Sequence, residues 1–206
     1  MTSSRSTTSR AARLELMARL DLARHAADLL HSKELALQRE RVRLEGHADR
    51  AREEWERCCE DAAVWLQRSR ALGATDELDA LVEQGPEPAD VAIQWQVSMG
   101  ITYPGSVDCT PGVQTGLAST SALRPAEQAH DRALVAAATH AASFAAATRL
   151  DTELANTRRR RRAIEERLLP RLESGLHELD LDLDEQDREE ALRVQLAVGQ
   201  RDRTPT

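Results

Sequence analysis

The sequence predicts a mainly α fold: a long antiparallel two-helix coiled coil with a small β-containing insert between the helices. Three observations predict it. Aromatic residues make up 2% of the 206, too few to fill a thick globular core, while charged residues make up 31%; Ala, Leu, Glu and Arg dominate, as in long helices. A heptad seam of apolar residues runs through the first third of the chain, and a less regular one through the last. Between them lie most of the glycines and prolines, in a stretch where Asp108 is the only charged residue from Val91 to Leu123.

Residues 1–9 are rich in Ser, Thr and Arg and read as a flexible tail leading into a helix, in preference to a targeting leader. The first helix is expected over 10–73. Its seam runs Leu16, Leu20, Ala23, Ala27, Leu30, Glu34, Leu37, Arg41, Leu44, Ala48, Ala51, Trp55, Cys58, Ala62, Trp65, Ser69 and Leu72, with fourteen of the seventeen positions apolar. Gly73 is placed to end it. The insert, 74–125, is expected to hold a short helix at about 75–83 and a strand pair. Val91, Ile93, Trp95 and Val97 alternate there with Ala92, Gln94, Gln96 and Ser98, and loop is expected over 105–122. Pro125 suits a first helical turn and opens the second helix, 126–198. Its seam reads Ala133, Ala137, His140, Phe144, Ala147, then Leu150, Leu154, Thr157, Arg161, Ile164, Leu168, then Leu172, Leu176, Leu179, Leu183, with stutters at the breaks. Pro170 should bend this helix, because it removes a ladder hydrogen bond and crowds the carbonyl of Glu166. Residues 199–206 read as a second flexible tail.

An antiparallel hairpin in which paired positions sum to about 200 satisfies two further patterns. It sets Trp55 and Trp65 opposite residues 133–148, nine of which are alanine, so large side chains meet a shallow groove. It also brings the basic N-terminal end, six bases against three acids over 1–33, beside the acidic stretch 173–203, ten acids against four bases.

Composition excludes several functions. The formal charge of -7 and pI near 5.5 disfavour a whole surface matched to nucleic acid. Cys58, Cys59 and Cys109 make neither a disulfide framework nor a zinc spacing, and the six histidines are scattered. Adjacent Cys58 and Cys59 read as seam fillers. No phosphate-binding loop or nucleophile elbow occurs, and the charge-free stretches are too short or too polar to span a bilayer. The reading is therefore no catalytic residue, no cofactor and no metal.

The loudest local feature is the run Arg158, Arg159, Arg160, Arg161, Arg162, which wraps the helix. With Arg39, Arg41 and Arg43 it is expected to form a basic belt. Docking onto an acidic protein surface is the favoured use, ahead of a solvated face neutralised by Glu40, Glu45, Glu165 and Glu166. Nucleic acid ranks third, since no aromatic lies near to stack bases.

Several of these residues also carry a resemblance. Asn156–Glu173, N-T-R-R-R-R-R-A-I-E-E-R-L-L-P-R-L-E, resembles the signature of the D subunit of V-type and archaeal-type rotary ATPases, in which R-x-N-A-(L/I)-E precedes a proline by five residues. Arg160, Ala163, Ile164, Glu165 and Pro170 match, and Arg162 replaces the asparagine. Leu183, Glu185, Arg188, Glu189 and Glu190 fit the family's L-x-E-x-E-R-E-E. Leu29, Leu30, Lys33 and Leu37 fit L-L-K-x-K-R-D-x-L, with Glu34 and Leu35 replacing its Arg-Asp pair, and Gly100, Ile101 and Pro104 fit G-(I/V)-x-x-P. The matching span begins near Arg10 and ends near residue 190.

The resemblance implies a non-catalytic central rotor subunit, cytoplasmic and joined to the membrane only through its complex. Its termini would enter the ring of A and B subunits, and the opposite end would meet the F subunit and the membrane-side socket subunit, called C or d. It would transmit torque and bind no nucleotide itself. A free-standing coiled-coil scaffold is the alternative, and a nucleic-acid-binding regulator using the arginine run a more distant one.

Overall fold

The computed structural model describes residues 3–85, 87–112 and 120–201. Their order is α1 (Ser3–Ala71), α2 (Thr75–Gln84), β1 (Asp90–Ser98), β2 (Ile101–Thr110), α3 (Leu123–Ala163), a π turn (Ile164–Leu168) and α4 (Leu169–Arg201). This is a mainly α, antiparallel coiled coil with a two-stranded insert, as the sequence predicts. The chain divides into two compact units. One joins the part up to Glu34 with the part from Asn156 onward, and the other is Leu35–Ala155.

Apolar spacing of three and four holds α1 in register from Leu16 onward. Sixteen of its seventeen predicted seam positions are buried or half-buried; Leu72, beyond the helix end, is exposed. The helix closes with paired bonds from Gly73 N–H to the Arg70 carbonyl (3.0 Å) and from Ala74 N–H to the Ser69 carbonyl (3.1 Å). Gly73 takes φ +90°, a left-handed conformation that costs glycine little and that this cap requires. Ala74 is fully buried behind it.

In the Leu35–Ala155 unit, β1 and β2 pair antiparallel from Ser98↔Ile101 to Asp90↔Thr110, with a bulge at Gln94/Trp95. Met99 (φ 51°) and Gly100 (φ 78°) form the two-residue turn, whose positive dihedrals match the twist of the flanking strands. β2 thus reaches Thr110, past the point where loop was expected at 105. Ser106 to Thr110 find partners on β1, and the bulge absorbs the irregularity at Gly105. Residues 111–112 and 120–122 are outside helix and strand, as expected, and 113–119 of the expected loop lie outside the described residues.

The hairpin is held by its turn end. Tyr103 and Ile101 pack with Leu44, Ala146, Ala147 and Leu150, and the Tyr103 hydroxyl donates to Glu40 Oε1 at 3.0 Å. Arg149 donates to the Thr102 carbonyl at 2.8 Å and lies 5.2 Å from the Trp95 ring centroid. Trp55 stacks on His140, ring centroids 5.4 Å apart, and Arg132 pairs with Asp61 at 2.6 Å.

The seam of the second helical segment differs from the expected one at three places, with Ala136 for Ala137, Ser143 for Phe144 and Leu169 for Leu168. Its inward positions are Ala126, Ala129, Ala133, Ala136, His140, Ser143, Ala147, Leu150, Leu154, Thr157, Arg161 and Ile164, all buried or half-buried at unbroken steps of three and four. The expected break near Leu150 is therefore absent. Phe144 is 60% exposed, and the smaller Ser143 takes the seam position. The one break lies further on: Leu168 is exposed and Leu169 half-buried, so the seam steps by five from Ile164 to Leu169 and then resumes at Leu172, Leu176, Leu179 and Leu183. That step coincides with the π turn, where Leu169 N–H bonds to the Ile164 carbonyl. The chain meets Pro170 by widening the preceding turn, which gives the ring room against the Glu166 carbonyl.

Candidate interaction surfaces

The five arginines do not act as one belt, because helical spacing sends them in different directions. Arg158 and Arg161 point to the seam. There they clamp Glu34, with Arg158 Nε on Oε1 at 2.8 Å and Arg161 Nε on Oε2 at 3.0 Å. Glu34 occupies a seam position and is buried. The Arg158 and Arg161 guanidiniums hold its carboxyl below the usual carboxylate range, against the opposing effect of burial. Arg161 also donates to Glu165 at 2.7 Å, and these two carboxylates raise the guanidinium's own pKa, Glu165 first. Arg159, Arg160 and Arg162 are exposed and make the outward basic face.

Arg39, Arg41 and Arg43 belong to the other unit. Arg41 pairs with Glu45 and Asp151, each at 2.6 Å. Arg43 pairs with Glu40, whose carboxyl is held low first by Arg43 and also by the Tyr103 hydroxyl. Arg39 is exposed.

The remaining motif positions fall into structural and outward groups. Leu37 is 1% exposed, Leu183 and Pro104 are buried, and Leu30, Lys33, Ile101 and Ile164 are half-buried. Gly100 makes the hairpin turn. Leu29, Ala163, Glu165, Pro170 and Glu190 are exposed. Arg10 pairs with Asp187 at 3.1 Å, Glu185 with Arg188, and Glu189 with Arg193.

Three contacts were not singled out from sequence: Arg13–Asp180 (2.6 Å), Arg24–Glu173 (2.9 Å) and the Glu34 clamp. The opposite charge of the two chain ends signals the first two. Polar Glu34 in an apolar seam signals the third.

A second kind of surface is apolar. Val91, Ile93, Trp95 and Val97 on β1, Leu134, Val135 and Phe144 on α3, and Leu192, Val194, Leu196 and Val198 on α4 are all exposed. No described helix is long and apolar enough to cross a membrane. Fold and surface together define a class: an antiparallel two-helix coiled coil with an inserted β-hairpin, leaving apolar side chains outward as components of larger assemblies do.

The family model for the D subunit of ATP synthase matches residues 12–198, and the chain belongs to that family. It is 30% identical over 198 residues to the V-type ATP synthase D subunit of Anaeromyxobacter dehalogenans, covering 93% of this chain and 94% of the relative. It is 27% identical over 191 residues to the A-type ATP synthase D subunit of Halobacterium salinarum, covering 88% and 84%.

Proposed function

We propose that this chain is the central rotor shaft of a V/A-type proton- or sodium-translocating ATPase or ATP synthase, a non-catalytic component that carries torque between the A/B catalytic ring and the membrane rotor. The observation that carries the reading is family membership across 12–198, which takes in both long helices and the insert together. Its partners are the A and B subunits, the F subunit and the C/d socket, and it meets the membrane through them on the cytoplasmic side.

Two surface chemistries support a division of labour among these contacts. Outward apolar side chains such as Phe144 and Trp95 suit a partner that stays bound, since covering them is favourable at about 25 cal/mol per Å² and non-directional. Arg159, Arg160 and Arg162 suit an acidic stator face met in passing, because exposed ion pairs are worth about 0–1 kcal/mol each and re-form quickly.

Replacing these three arginines by glutamine should weaken ring assembly more at low salt than at high salt, with helix content intact. Recovery of the wild-type chain from its native host should also bring the ring proteins and a small F-like protein with it. Isolation free of the ring proteins would overturn the rotor reading. Unchanged low-salt assembly of the triple variant would overturn only the role of the arginine face.

A further inference from the structure

From Ala126 to Ile164 every step of the buried seam is three or four residues. Continued at that spacing, the next inward positions would be Leu168, Arg171, Gly175, Glu178 and Asp182, four of them unfit for a seam. The residues that turn inward are Leu169, Leu172, Leu176, Leu179 and Leu183, each one position later. One residue more than the heptad needs has therefore been stored in the helix, and the π turn Ile164–Leu168 holds it. A wide turn takes one residue beyond an α turn, which in an unbroken α-helix would rotate everything downstream by about 100°.

Two features make this turn the least restrained part of the segment. The four residues Glu165, Glu166, Arg167 and Leu168 are all exposed, so burial holds them less than it holds the seam residues on either side. Pro170 brings no N–H to the ladder, so the turn running back from it to Glu166 has one hydrogen bond fewer to break. What spans the turn is polar: Arg161, just before it, reaches both Glu34 on α1 and Glu165 within the turn. All of these residues lie in one compact unit.

We propose that Ile164–Leu168 is a torsional joint. Twist applied to α4 is taken up there by passing the stored residue along the helix, exchanging one i→i+5 bond for one i→i+4 bond. The Arg158–Glu34–Arg161 clamp is the latch that returns it. The joint's use in torque transfer rests on the rotor reading; its existence does not, so the test is made on the full chain alone.

Hydrogen exchange read by mass spectrometry should show amides of 165–169 exchanging at least about tenfold faster than those of 150–160. Deleting Leu168 removes the stored residue and makes the seam step from 164 to 169 an ordinary four. Made together with Pro170→Ala, which removes the ring that the wide turn accommodates, this deletion should slow exchange in the segment about tenfold, with Tm held or raised. Deleting Ser174 instead, which shifts a correct seam by one position, should lower Tm and serves as the control. Glu34→Gln should speed exchange of the turn several-fold while leaving that of 150–155 unchanged. Protection at 165–169 equal to the flanking helix, or a Leu168 deletion with Pro170→Ala as destabilising as the Ser174 deletion, would overturn the joint. An unchanged rate in Glu34→Gln would overturn the latch.

Discussion

The two compact units run the same heptad with different chemistry. In Leu35–Ala155 the seam is closed by Leu37, Leu44, Ala62, Ala147 and Leu150, with the hairpin seated on it through Tyr103. In the other unit the seam carries Glu34 clamped by two arginines, and its flanks carry the inter-helix ion pairs Arg10–Asp187, Arg13–Asp180 and Arg24–Glu173. Dispersion and apolar burial do not depend on ionic strength or protonation, whereas ion pairs depend on both. The Leu35–Ala155 unit has inter-helix pairs too, Arg41–Asp151 and Arg132–Asp61, but its seam is apolar, so one helical pattern yields a unit less sensitive to solution conditions and another more tuned by them.

The largest test of this difference is a matched pair of truncations. Leu150 is fully buried, so Leu150→Ala should cost about 3 kcal/mol in transfer and cavity terms. Leu176 is only half-buried, and Leu176→Ala should cost about 1 kcal/mol. Denaturant unfolding followed by helix signal measures both. Equal costs would erase the distinction in packing.

Glu34 gives an intermediate effect that sharpens the comparison. Glu34→Ala takes the shared carboxylate from Arg158 and leaves Arg161 with Glu165, and should cost about 1–2 kcal/mol, less than an enclosed pair because Arg158 remains 40% exposed and screened. Glu34→Leu, which restores an apolar seam residue, should recover most of that loss. The same group predicts the pH response. Its folded pKa lies below its ordinary 4.5, so its contribution is present above about 4.5 and fades as pH falls through the folded value. Thermal melts below pH 4.5 should lose stability less steeply in Glu34→Gln than in the wild type. Identical slopes would remove Glu34 from the acid response.

Salt should have the smallest effect. The three flanking pairs are exposed and worth about 0–1 kcal/mol each. Raising salt to about 0.5 M should speed exchange of amides in 10–30 and 175–190 slightly, and those of 40–60 and 135–155 less, because apolar seam contacts there back up pairs such as Arg41–Asp151. Equal response in both units would place the salt sensitivity elsewhere.

Much of the fold was legible because period and composition report burial directly. The α1 seam is the clearest case, since its apolar residues are large enough to mark positions unambiguously. In α3 the signal degrades. Where nine of the sixteen residues 133–148 are alanine, every face is apolar, and the pattern favours Phe144 over Ser143 although helical geometry selects the serine. The stored residue was visible only as a shifted leucine repeat beside a proline, which does not say whether the helix bends, breaks or widens. Among the motif residues, the division of the arginines into inward and outward sets follows from spacing once the seam is fixed. That Arg158 and Arg161 both seek Glu34 depends on which α1 residue lies opposite. The inter-helix pairs put that register at sums a little under the 200 inferred from sequence, as in Arg24 with Glu173 and Arg13 with Asp180.

The Ser69 hydroxyl, fully buried, lies 3.0 Å from the Trp65 carbonyl oxygen and 3.1 Å from that of Ala122, sharing its hydrogen between them. It fastens the exit of α1 to the entry of α3, so everything between them leaves and returns at one point. Closure entropy grows only with the logarithm of loop length, about 0.6 kcal/mol per doubling. Apart from the hairpin turn that Tyr103 and Ile101 seat on the helices, the intervening segment can accordingly lengthen, shorten or exchange its content over evolutionary time at little thermodynamic cost to the helices. The heptad seam, where one added residue rotates everything downstream unless a wide turn such as Ile164–Leu168 holds it, has far less latitude. Variation within this lineage should therefore concentrate between these two carbonyls, making the insert the part through which one coiled coil is adapted to different surroundings.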